Sequence, residues 1–332
     1  MPDSNPQRAG QTRCQARLFV ADAPDCEVAC AELAGVEPSD DQLLWVDLVN
    51  PDQVMLEQVW EGCGLPEAAR DFLDAGTSPE VQKEAQWFWL RVVAVVDARL
   101  DDIKGTVLSI IANGHVVVSI HQQEIEFIEI LRDREDRHSS IGQMSTDSFV
   151  ASLLDWQLST YFDAVSDFEI GVERLEVEIL TEKARQSLPE LQRLRKAASR
   201  LRRMLAPHRN VFGALSRPDF RPDESREAER HFGALDTRFE RAMDMVENAR
   251  DLVIGSFELF SNQTALEVNR SMKILTFATV VIGMLATIAG ILGMNFDVSF
   301  FKARDSGFWI AVGGMATLGL ASLAVGRWFK WL

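Results

Sequence analysis

The chain has 332 residues and a mass of 37.2 kDa, which is enough for two domains or one large domain. An apolar content of 47% and a charged content of 25% are ordinary for a folded protein, and they exclude a disordered, collagen-like or coiled-coil-only chain. The 34 Lys and Arg residues against 50 Asp and Glu residues give a net charge of −16, which argues against a nucleic-acid partner, because such proteins carry a basic patch that meets the phosphates.

The charge is unevenly distributed along the chain. Residues 273–332 contain five basic and two acidic residues, which leaves 29 basic and 48 acidic residues in residues 1–272. The first 272 residues therefore carry a net charge of −19 and would attract cations over roughly one screening length. Because charged residues are so sparse in the last 60 residues, we expect this part of the chain to lie in a different solvent from the water that surrounds the first 272 residues.

Cysteine is sparse, and the chain begins with a polar stretch. No Cys-x-x-Cys pair occurs, and residues 1–13 contain no apolar run typical of a secretory signal. These features predict a reducing, cytosolic compartment. Cys26 and Cys30 are four residues apart and could share one face of a helix, either as two small thiols or as part of a metal site that would need further ligands. The cysteines are Cys14, Cys26, Cys30 and Cys63.

The first 135 residues are typical of a mixed α/β domain. A helix is expected over 52–62, and a hairpin over 105–121, because Asn113-Gly114 is a strong signal for a two-residue turn. Runs rich in β-branched and aromatic residues predict strands at 13–22, 43–49 and 86–97.

Helices predominate in the next part of the chain. Apolar residues at three- and four-residue spacing predict helices over 146–184 and 188–216, and 217–225 is expected to be a turn. No proline follows Pro222, so residues 224–294 can form one helix of about 105 Å. A 3-4 spacing of apolar and small residues predicts that this helix packs closely in a bundle. The residues of this repeat are Phe239, Ala242, Val246, Ala249, Val253, Ser256 and Phe260.

Two charge-free apolar runs lie near the C-terminus. The first covers 21 residues, 274–294, and the second covers 20 residues, 307–326. Because a helix needs about 20 apolar residues to cross a bilayer core, we expect a transmembrane hairpin; the alternative is two buried core helices. The predicted fold is thus an α/β cytosolic domain, a long stalk helix and a two-helix transmembrane hairpin. The α/β domain, helical region, stalk, first span, periplasmic loop, second span and tail are expected at residues 1–135, 136–222, 223–273, 274–296, 297–307, 308–329 and 330–332.

Positive charges flank both runs on the same side. Arg270 and Lys273 precede the first run, and Arg327 and Lys330 follow the second, whereas the charges of the connecting loop cancel. Basic flanks are retained in the cytoplasm. We therefore expect a multi-pass protein of the cell inner membrane, surrounded by lipid, with both termini in the cytoplasm.

The first run ends in the tripeptide Gly293-Met294-Asn295. An asparagine side chain offers a neutral carbonyl oxygen, and a ring of such oxygens from several subunits can recognise a cation. Mg²⁺ gives up its water reluctantly, so the amides could hydrogen-bond the hydrated ion. Ala286 and Gly290 form a small-xxx-small pair that lets helices approach closely. Taken alone, the tripeptide also fits a role in capping and packing the helix end.

Several segments share one order and spacing along the chain. They are WVDLVNP, the hairpin NGHVVVSIH, the long helix, NRSMKILTFATVV and GILGMNF around the first span, and the terminal RWFKWL. In this combination the chain resembles the CorA-type divalent-cation channels and transporters, from about residue 40 to its end. The tripeptide Gly-Met-Asn at the end of the penultimate span is the signature of that family.

The resemblance implies a homopentamer with a funnel-shaped cytosolic domain, in which the first span lines a pore and the second span surrounds it. Met272 and Leu275 would form an apolar constriction that gates by dewetting. The other implied roles are a selectivity filter at Gly293, Met294 and Asn295, an inner polar ring at Asn269, pore lining at Gly283 and Ala286, a loop acid at Asp297, and a basic collar at Arg327 and Lys330.

The resemblance also implies the cargo. Mg²⁺ would be transported, driven by the membrane potential, and would also regulate the channel at a cytosolic site that includes Asp71, with Asp236 nearby. Family members also move Co²⁺ and Ni²⁺, and the ZntB branch moves Zn²⁺, so a zinc transporter, with or without proton coupling, is the alternative. A membrane-anchored metal sensor without flux is an alternative of another class.

The chain also departs from the family pattern. Many members carry a proline in the first span, which is absent from 274–294, and the loop after Asn295 and the terminal basic cluster differ from the common form. These differences leave the ion preference open. No Walker loop, dinucleotide fingerprint or nucleophile elbow occurs, so an enzyme is not expected.

Overall fold

The computed structural model describes residues 12–21, 25–39, 41–99, 102–134, 141–217, 219–220, 226–294 and 304–328. The chain divides into two compact units. The first unit contains a mixed sheet with helices on both faces, and the second contains two apolar helices. The first unit comprises residues 1–177 and 189–256, and the second comprises residues 178–188 and 257–332.

The sheet of the first unit has seven strands in the order β2-β1-β3-β7-β6-β5-β4. Among these strands, β3 and β7 run parallel and the other neighbours run antiparallel. Seven of the eight residues of β3 are buried, because β3 is covered on both faces, which explains its continuous apolar run. The strands are β1 (Arg13–Val20), β2 (Cys26–Val28), β3 (Gln42–Val49), β4 (Glu80–Glu84), β5 (Trp87–Asp97), β6 (Lys104–Ala112) and β7 (Val116–His121).

The described residues form eight α-helices, and a 3-10 helix at Cys30–Gly35 precedes β3. The seventh helix is 67 residues long and runs from the first unit into the second. The α-helices are α1 (Gln53–Cys63), α2 (Glu67–Asp74), α3 (Glu126–Arg134), α4 (Thr146–Glu178), α5 (Ala184–Leu205), α6 (Arg209–Leu215), α7 (Arg226–Leu292) and α8 (Arg304–Trp328).

The predicted hairpin is confirmed as β6 and β7. The Asn113 side chain accepts hydrogen bonds from the backbone N–H groups of His115 and Val116, at 3.0 and 2.8 Å. The backbone N–H of Asn113 donates to the Val116 carbonyl at 3.0 Å. An asparagine that mimics a backbone turn in this way fixes the register of the two strands.

One face of the sheet packs against α1, α2 and the 3-10 helix. Val46, Leu48 and Val118 of the sheet belong to one buried cluster with Trp60 and Phe72 of the helices. Local chemistry sets the ends of α1. Asp52 caps its N-terminus by accepting from Met55 N at 2.8 Å, and Gly64 ends it with a φ of 61°, which a residue without Cβ adopts without strain.

The other face packs against the long helices. Phe19 of β1, Trp45 of β3 and Phe149 of α4 form an aromatic cluster with ring centroids 5.4–6.4 Å apart. In β5, the carbonyl of Val93 accepts hydrogen bonds from Gln157 and Tyr161 of α4, at 2.6 and 3.0 Å. These contacts join strands β1, β3 and β5 to α4.

A buried polar network explains why polar residues interrupt β3 and β7. The Trp45 indole donates to Ser119 Oγ at 3.0 Å, and the Ser119 hydroxyl donates to Asp47 Oδ1 at 2.5 Å. Asp47 Oδ1 also lies 3.2 Å from His121 Nε2, while His121 Nδ1 lies 2.6 Å from the Gln123 carbonyl. The network ties together the parallel pair of strands inside WVDLVNP and NGHVVVSIH.

The predicted 3-4 repeat of the long helix is confirmed as its packing face. Phe239, Ala242, Val246, Ala249, Val253 and Ser256 are buried, and Phe260 is half-buried. The Phe239 ring stacks on Phe212 of α6, with the ring centroids 5.2 Å apart. The Ser256 hydroxyl donates a hydrogen bond to Glu176 Oε1 of α4 at 2.7 Å. Small residues in the repeat let α7 lie close against its neighbours.

The structure differs from the predicted elements at three places. The helix predicted over 188–216 is interrupted at Ala206–His208, where Pro207 lacks the N–H that a continuous helix needs. The helix predicted over 146–184 ends at Glu178 and continues as a π turn. Among the short elements that the sequence analysis did not predict are β2, the 3-10 helix at Cys30–Gly35, α2, β4 and α3.

The interpretation of Cys26 and Cys30 as two small thiols is wrong for Cys30. Cys14 of β1 is joined to Cys30 by a disulfide. Cys26 and Cys30 do not share a helix, because Cys26 lies on β2 and Cys30 begins the 3-10 helix. Cys26 is exposed and Cys63 is half-buried, and both are free. Cys14 and Cys30 are brought together by the placement of the 3-10 helix beside β1, and the spacing of the cysteines in the sequence does not reveal this placement.

Candidate functional site

The second unit contains the helical segments expected to cross a membrane. The C-terminal part of α7 and residues 306–328 of α8 are long and apolar enough to span a bilayer. Neither segment is buried by the described residues of the chain, although both are apolar and expose large side chains such as Ile282 and Leu320. Large apolar surfaces of this extent are typical of helices that meet lipid or other subunits.

One face of the α7 segment is covered by α8. At 3.6 residues per turn, its half-buried residues fall on one side of the helix. Gly319 of α8 lies against this side, since a Cβ at Gly319 would stand 3.9 Å from the Leu285 side chain. The half-buried residues are Phe277, Ala278, Val281, Leu285, Ile288 and Leu292.

The covered face of α8 is made largely of small residues. Gly307 and Gly326 are buried, and Ala311, Gly319 and Ser322 between them are half-buried. Their spacings of four, eight, three and four residues place them in one stripe. Small residues in such a stripe allow close approach of two membrane helices. The opposite side of α8 exposes large residues that fit contact with lipid: Phe308, Trp309, Ile310, Leu320, Leu323 and Trp328.

The residues assigned to the pore lie on the uncovered side of α7. Met272 and Leu275 are 62% and 68% exposed, and Gly283 and Ala286 are also exposed. Asn269 is exposed one turn before Met272. The helical repeat places these residues opposite the face that packs on α8. The structure therefore brings the predicted pore residues together on one free face.

Two hydroxyl residues on the same face were missed by the sequence analysis. Thr276 and Thr279 are exposed between Leu275 and Gly283 and follow the same helical repeat. The Thr279 hydroxyl donates to the Leu275 carbonyl at 2.8 Å, which leaves its oxygen able to accept from water. The repeat of about 100° per residue, applied from Met272 onward, was the signal that could have found them.

The exposed face of α7 thus changes character along its length. It begins with two large apolar residues, continues with hydroxyls and ends with glycines and alanine. Larger exposed residues, Val280, Ile282 and Met284 among them, border it. We call this face the small-residue face; it consists of Met272, Leu275, Thr276, Thr279, Gly283, Ala286, Gly290 and Gly293.

Gly293 and Met294, the first two residues of the predicted filter, directly follow α7. The helix ends at Leu292, and the Gly293 N–H still donates to the Ala289 carbonyl at 3.0 Å. Met294 is exposed, and its N–H donates to the Ile291 carbonyl at 3.2 Å. Arg327 is exposed in the last turn of α8. Asn295, Asp297 and Lys330, three further residues of the predicted site, lie outside the described residues.

The two carboxylates of the predicted regulatory site lie on different elements. Asp71 is exposed on α2, and Asp236 is half-buried on α7. Across the described part of the chain, no group of three or more His, Cys, Asp or Glu side chains is arranged to hold a metal ion. A site shared between two copies of the chain therefore stays a prediction.

Comparison with known proteins identifies the family. The profile described as "CorA-like Mg2+ transporter protein" matches residues 40–330. The chain is 23% identical over 292 residues to a Thermotoga maritima protein named cobalt/magnesium transport protein CorA, covering 87% of this chain and 83% of that protein. It is 27% identical over 273 residues to a Pseudomonas aeruginosa protein named divalent cation transporter CmaX, covering 78% and 80%.

A solved structure has the same fold. The CorA magnesium transporter from Methanocaldococcus jannaschii superposes with a TM-score of 0.73 at 19% identity, covering 96% of this chain and 98% of that one. The α/β unit, the long helix and the C-terminal helix thus form one known architecture, that of a membrane protein. Proteins of this architecture and profile move divalent cations and are not enzymes. The chain belongs to the CorA-like Mg²⁺ transporter family.

Proposed function

We propose that the protein is a channel-like transporter that takes up Mg²⁺ across the cell inner membrane, as a homopentamer with both termini in the cytoplasm. The observation that carries this proposal is the small-residue face of α7. One side of the α7 segment is already covered by α8 of the same chain. The side that remains free is the one available to line a shared pore.

Symmetry converts this face into a conduit. In a closed ring of identical chains, each α7 turns the same face to the central axis. Glycine, alanine and threonine on this face project little into the lumen, which leaves width for an ion that keeps its water shell. The bordering large residues would then pack between neighbouring copies and α8 would meet the lipid.

The two ends of the face have different roles in this proposal. Near the start of the segment, Met272 and Leu275 would narrow the pore to an apolar constriction that closes by dewetting. Asn269 would place an amide ring one turn to the cytoplasmic side of it. At the other end, Gly293, Met294 and Asn295 would form the filter, in which the amides hydrogen-bond the water around the ion. Because the amides are neutral, they would bind the hydrated ion weakly enough to release it.

The membrane potential can supply the driving force. A potential of 100 mV contributes roughly 2.3 kcal/mol per elementary charge, or about 4.6 kcal/mol for a divalent ion. Residues 274–294 and 307–326 contain no Asp, Glu, Lys, Arg or His, so these runs offer no side chain for a proton relay. Arg327 and Lys330 would form a basic collar at the cytoplasmic mouth that the ion must pass.

Co²⁺ is a second candidate cargo, because the name of the Thermotoga maritima relative includes cobalt. A filter that contacts the water shell distinguishes ions by the strength of their hydration more than by their ligand preference. Co²⁺ and Ni²⁺ would then compete with Mg²⁺. Zn²⁺ transport with proton coupling is the alternative that the flux measurement described in the Discussion separates.

The proposal is tested by replacing Asn295 with alanine. Purified wild type and Asn295→Ala are reconstituted into liposomes loaded with a Mg²⁺-sensitive dye, under an imposed potential. We expect at least a tenfold loss of Mg²⁺ entry, since the filter loses its amides, with unchanged assembly by size-exclusion chromatography. Asn210→Ala, at an exposed position of α6, is the matched control. Undiminished entry through a well-assembled Asn295→Ala protein would remove Asn295 from the filter.

A further inference from the structure

The disulfide joins strand β1, the neighbour of the edge strand β2, to the 3-10 helix at Cys30–Gly35. Cys14 lies on β1, and Cys30 is the first residue of the 3-10 helix. Their Cα atoms are 6.4 Å apart, within the range that a disulfide spans without moving the backbone. Both residues are half-buried at the rim of the core cluster. The pair therefore lies at the margin of the core and not at its centre.

The backbone around the pair is held by contacts that do not need the disulfide. Strand β1 is paired with β3 along all eight of its residues. Leu33 anchors the 3-10 helix in the core at 1% exposure, and it lies so close to α1 that a Cβ at Gly62 would stand 2.8 Å from the Leu33 Cβ. If the bond is broken, the two thiols remain close enough to form it again.

The other two cysteines are poorly placed to exchange with this pair. Burial raises the pKa of the Cys63 thiol to about 11, so it stays protonated at neutral pH. The thiolate is the form that attacks a disulfide. Cys26 is exposed on β2 and belongs to no disulfide. Cys14 and Cys30 are the natural partners in this part of the chain.

We propose that Cys14 and Cys30 form a reversible thiol–disulfide couple that exchanges with low-molecular-weight thiols and disulfides of the cytoplasm. The location of the pair in the cytoplasm rests on the membrane orientation of the proposed function. Cytosolic thiols are normally kept reduced, and a disulfide that forms there is a redox-responsive state more often than a permanent link. The position of the pair at the rim of the core and its fixed spacing suit such a state.

A small disulfide molecule accepts the electrons and protons that the cysteine pair loses when it is oxidised. One cysteine thiolate attacks a small disulfide, forms a mixed disulfide and releases one small thiol. The second cysteine thiolate then attacks the mixed disulfide, which forms the Cys14–Cys30 bond and releases the second small thiol. The protein loses two electrons and two protons, and the small disulfide gains both. An excess of the reduced small thiol drives the same steps backwards.

Opening or closing the Cys14–Cys30 bond would change how firmly β2 is attached to the rest of the first unit. The disulfide closes a loop over a sequence separation of 16, and this loop contains β2. Strand β2 is an edge strand held to β1 by three residue pairs. When the bond is open, β2 is held by this short pairing, by the packing of Val28 on the core cluster and by the ion pair between Glu27 and Arg17. Local opening of β2 and the 3-10 helix should therefore become more frequent in the reduced form.

The test uses the full chain in lipid nanodiscs, equilibrated with graded ratios of reduced to oxidised glutathione. The samples are quenched with acid, alkylated and mapped by mass spectrometry. We expect the labels on Cys14 and Cys30 to rise together, with a midpoint inside the range of ratios used, while Cys26 is labelled throughout. The double variant Cys26→Ser/Cys63→Ser should keep this transition, and Cys14→Ser should abolish it at Cys30.

Two results would overturn the proposal. If the pair resists the most reducing glutathione ratio in the folded protein, the disulfide is a permanent structural link. If both thiols stay labelled at the most oxidising ratio, no couple exists. Amide exchange in β2 should be at least about threefold faster in the reduced form, and an unchanged rate would remove the proposed effect on β2. No readout depends on cation flux, so failure here is separate from failure of the transport proposal.

Discussion

At the scale of single residues, His208 shows how burial sets the state of a side chain. Its Nε2 accepts a hydrogen bond from the Val93 N–H at 2.8 Å, and its Nδ1 lies 3.0 Å from the Leu205 carbonyl. The ring is fully buried, which lowers the pKa of His208 from 6.5 to about 4. The neutral ring thus links the centre of β5 to the start of α6.

This burial predicts a pH dependence of folding. Between pH 6.5 and about 4 the unfolded chain protonates His208 and the folded chain does not, so stability falls as the pH is lowered through that window. The full effect is on the order of 3 kcal/mol. We expect the unfolding temperature in detergent to fall less steeply from pH 7 to pH 5 in His208→Gln than in wild type. His231→Gln is the control, and equal slopes for wild type and His208→Gln would contradict the assignment.

Residue-level chemistry was partly predictable from the sequence. Asn113-Gly114 correctly indicated the hairpin, but neither residue has the positive φ of the expected two-residue turn; the loop is held instead by the Asn113 side chain, which accepts from His115 and Val116. The disulfide between Cys14 and Cys30 was not predictable, because it depends on where a short 3-10 helix docks against β1. Nor could the positions of Trp45, Ser119 and His121 around Asp47 be read before the register of β3 and β7 was known.

At the scale of elements, long periodic segments were predicted well and short ones were not. The repeat from Phe239 to Ser256 identified the packed face of α7 because burial follows the helical period. The elements α2 and β4 are eight and five residues long, too short for a period to stand out. Pro207 was the visible signal for the break between α5 and α6 that the continuous apolar spacing obscured.

The two faces of α7 make a prediction about access from water. In a background without the native cysteines, Thr279→Cys lies on the small-residue face and Ile288→Cys lies on the face covered by α8. A charged thiol reagent added from the water should block Mg²⁺ entry by at least tenfold in Thr279→Cys, because the adduct would occupy the pore. Ile288→Cys should be little affected. Equal block of both variants, or of neither, would contradict the assigned faces.

At the scale of the whole molecule, the charge distribution agrees with a protein divided between water and membrane. The net charge of −19 belongs to residues 1–272, and the two charge-free runs follow. The sequence could place these runs and the signature tripeptide, but not the face that α8 covers, because that depends on contacts between helices. A site built by several copies lies beyond what one chain determines, so the filter and the regulatory site remain predictions.

Regulation by cytosolic Mg²⁺ is one property that several copies would share. If Asp71 helps hold an inhibitory ion between chains, Asp71→Lys should supply a fixed positive charge in its place and leave the channel insensitive to the ion. We expect Mg²⁺ entry to persist with millimolar Mg²⁺ on the cytoplasmic side. Asp74→Lys, also exposed on α2, is the matched control. Normal inhibition of Asp71→Lys would exclude Asp71 from regulation.

Ion entry into proteoliposomes under an imposed potential, followed in parallel with Mg²⁺, Zn²⁺ and pH dyes, is the decisive test of the transport proposal. We expect Mg²⁺ entry that grows with the potential and moves no protons, because the spans offer no side-chain relay. Zn²⁺ entry with proton movement and little Mg²⁺ signal would contradict it in favour of the zinc-transporting branch. No flux of either ion from an assembled oligomer would contradict it in favour of a metal sensor.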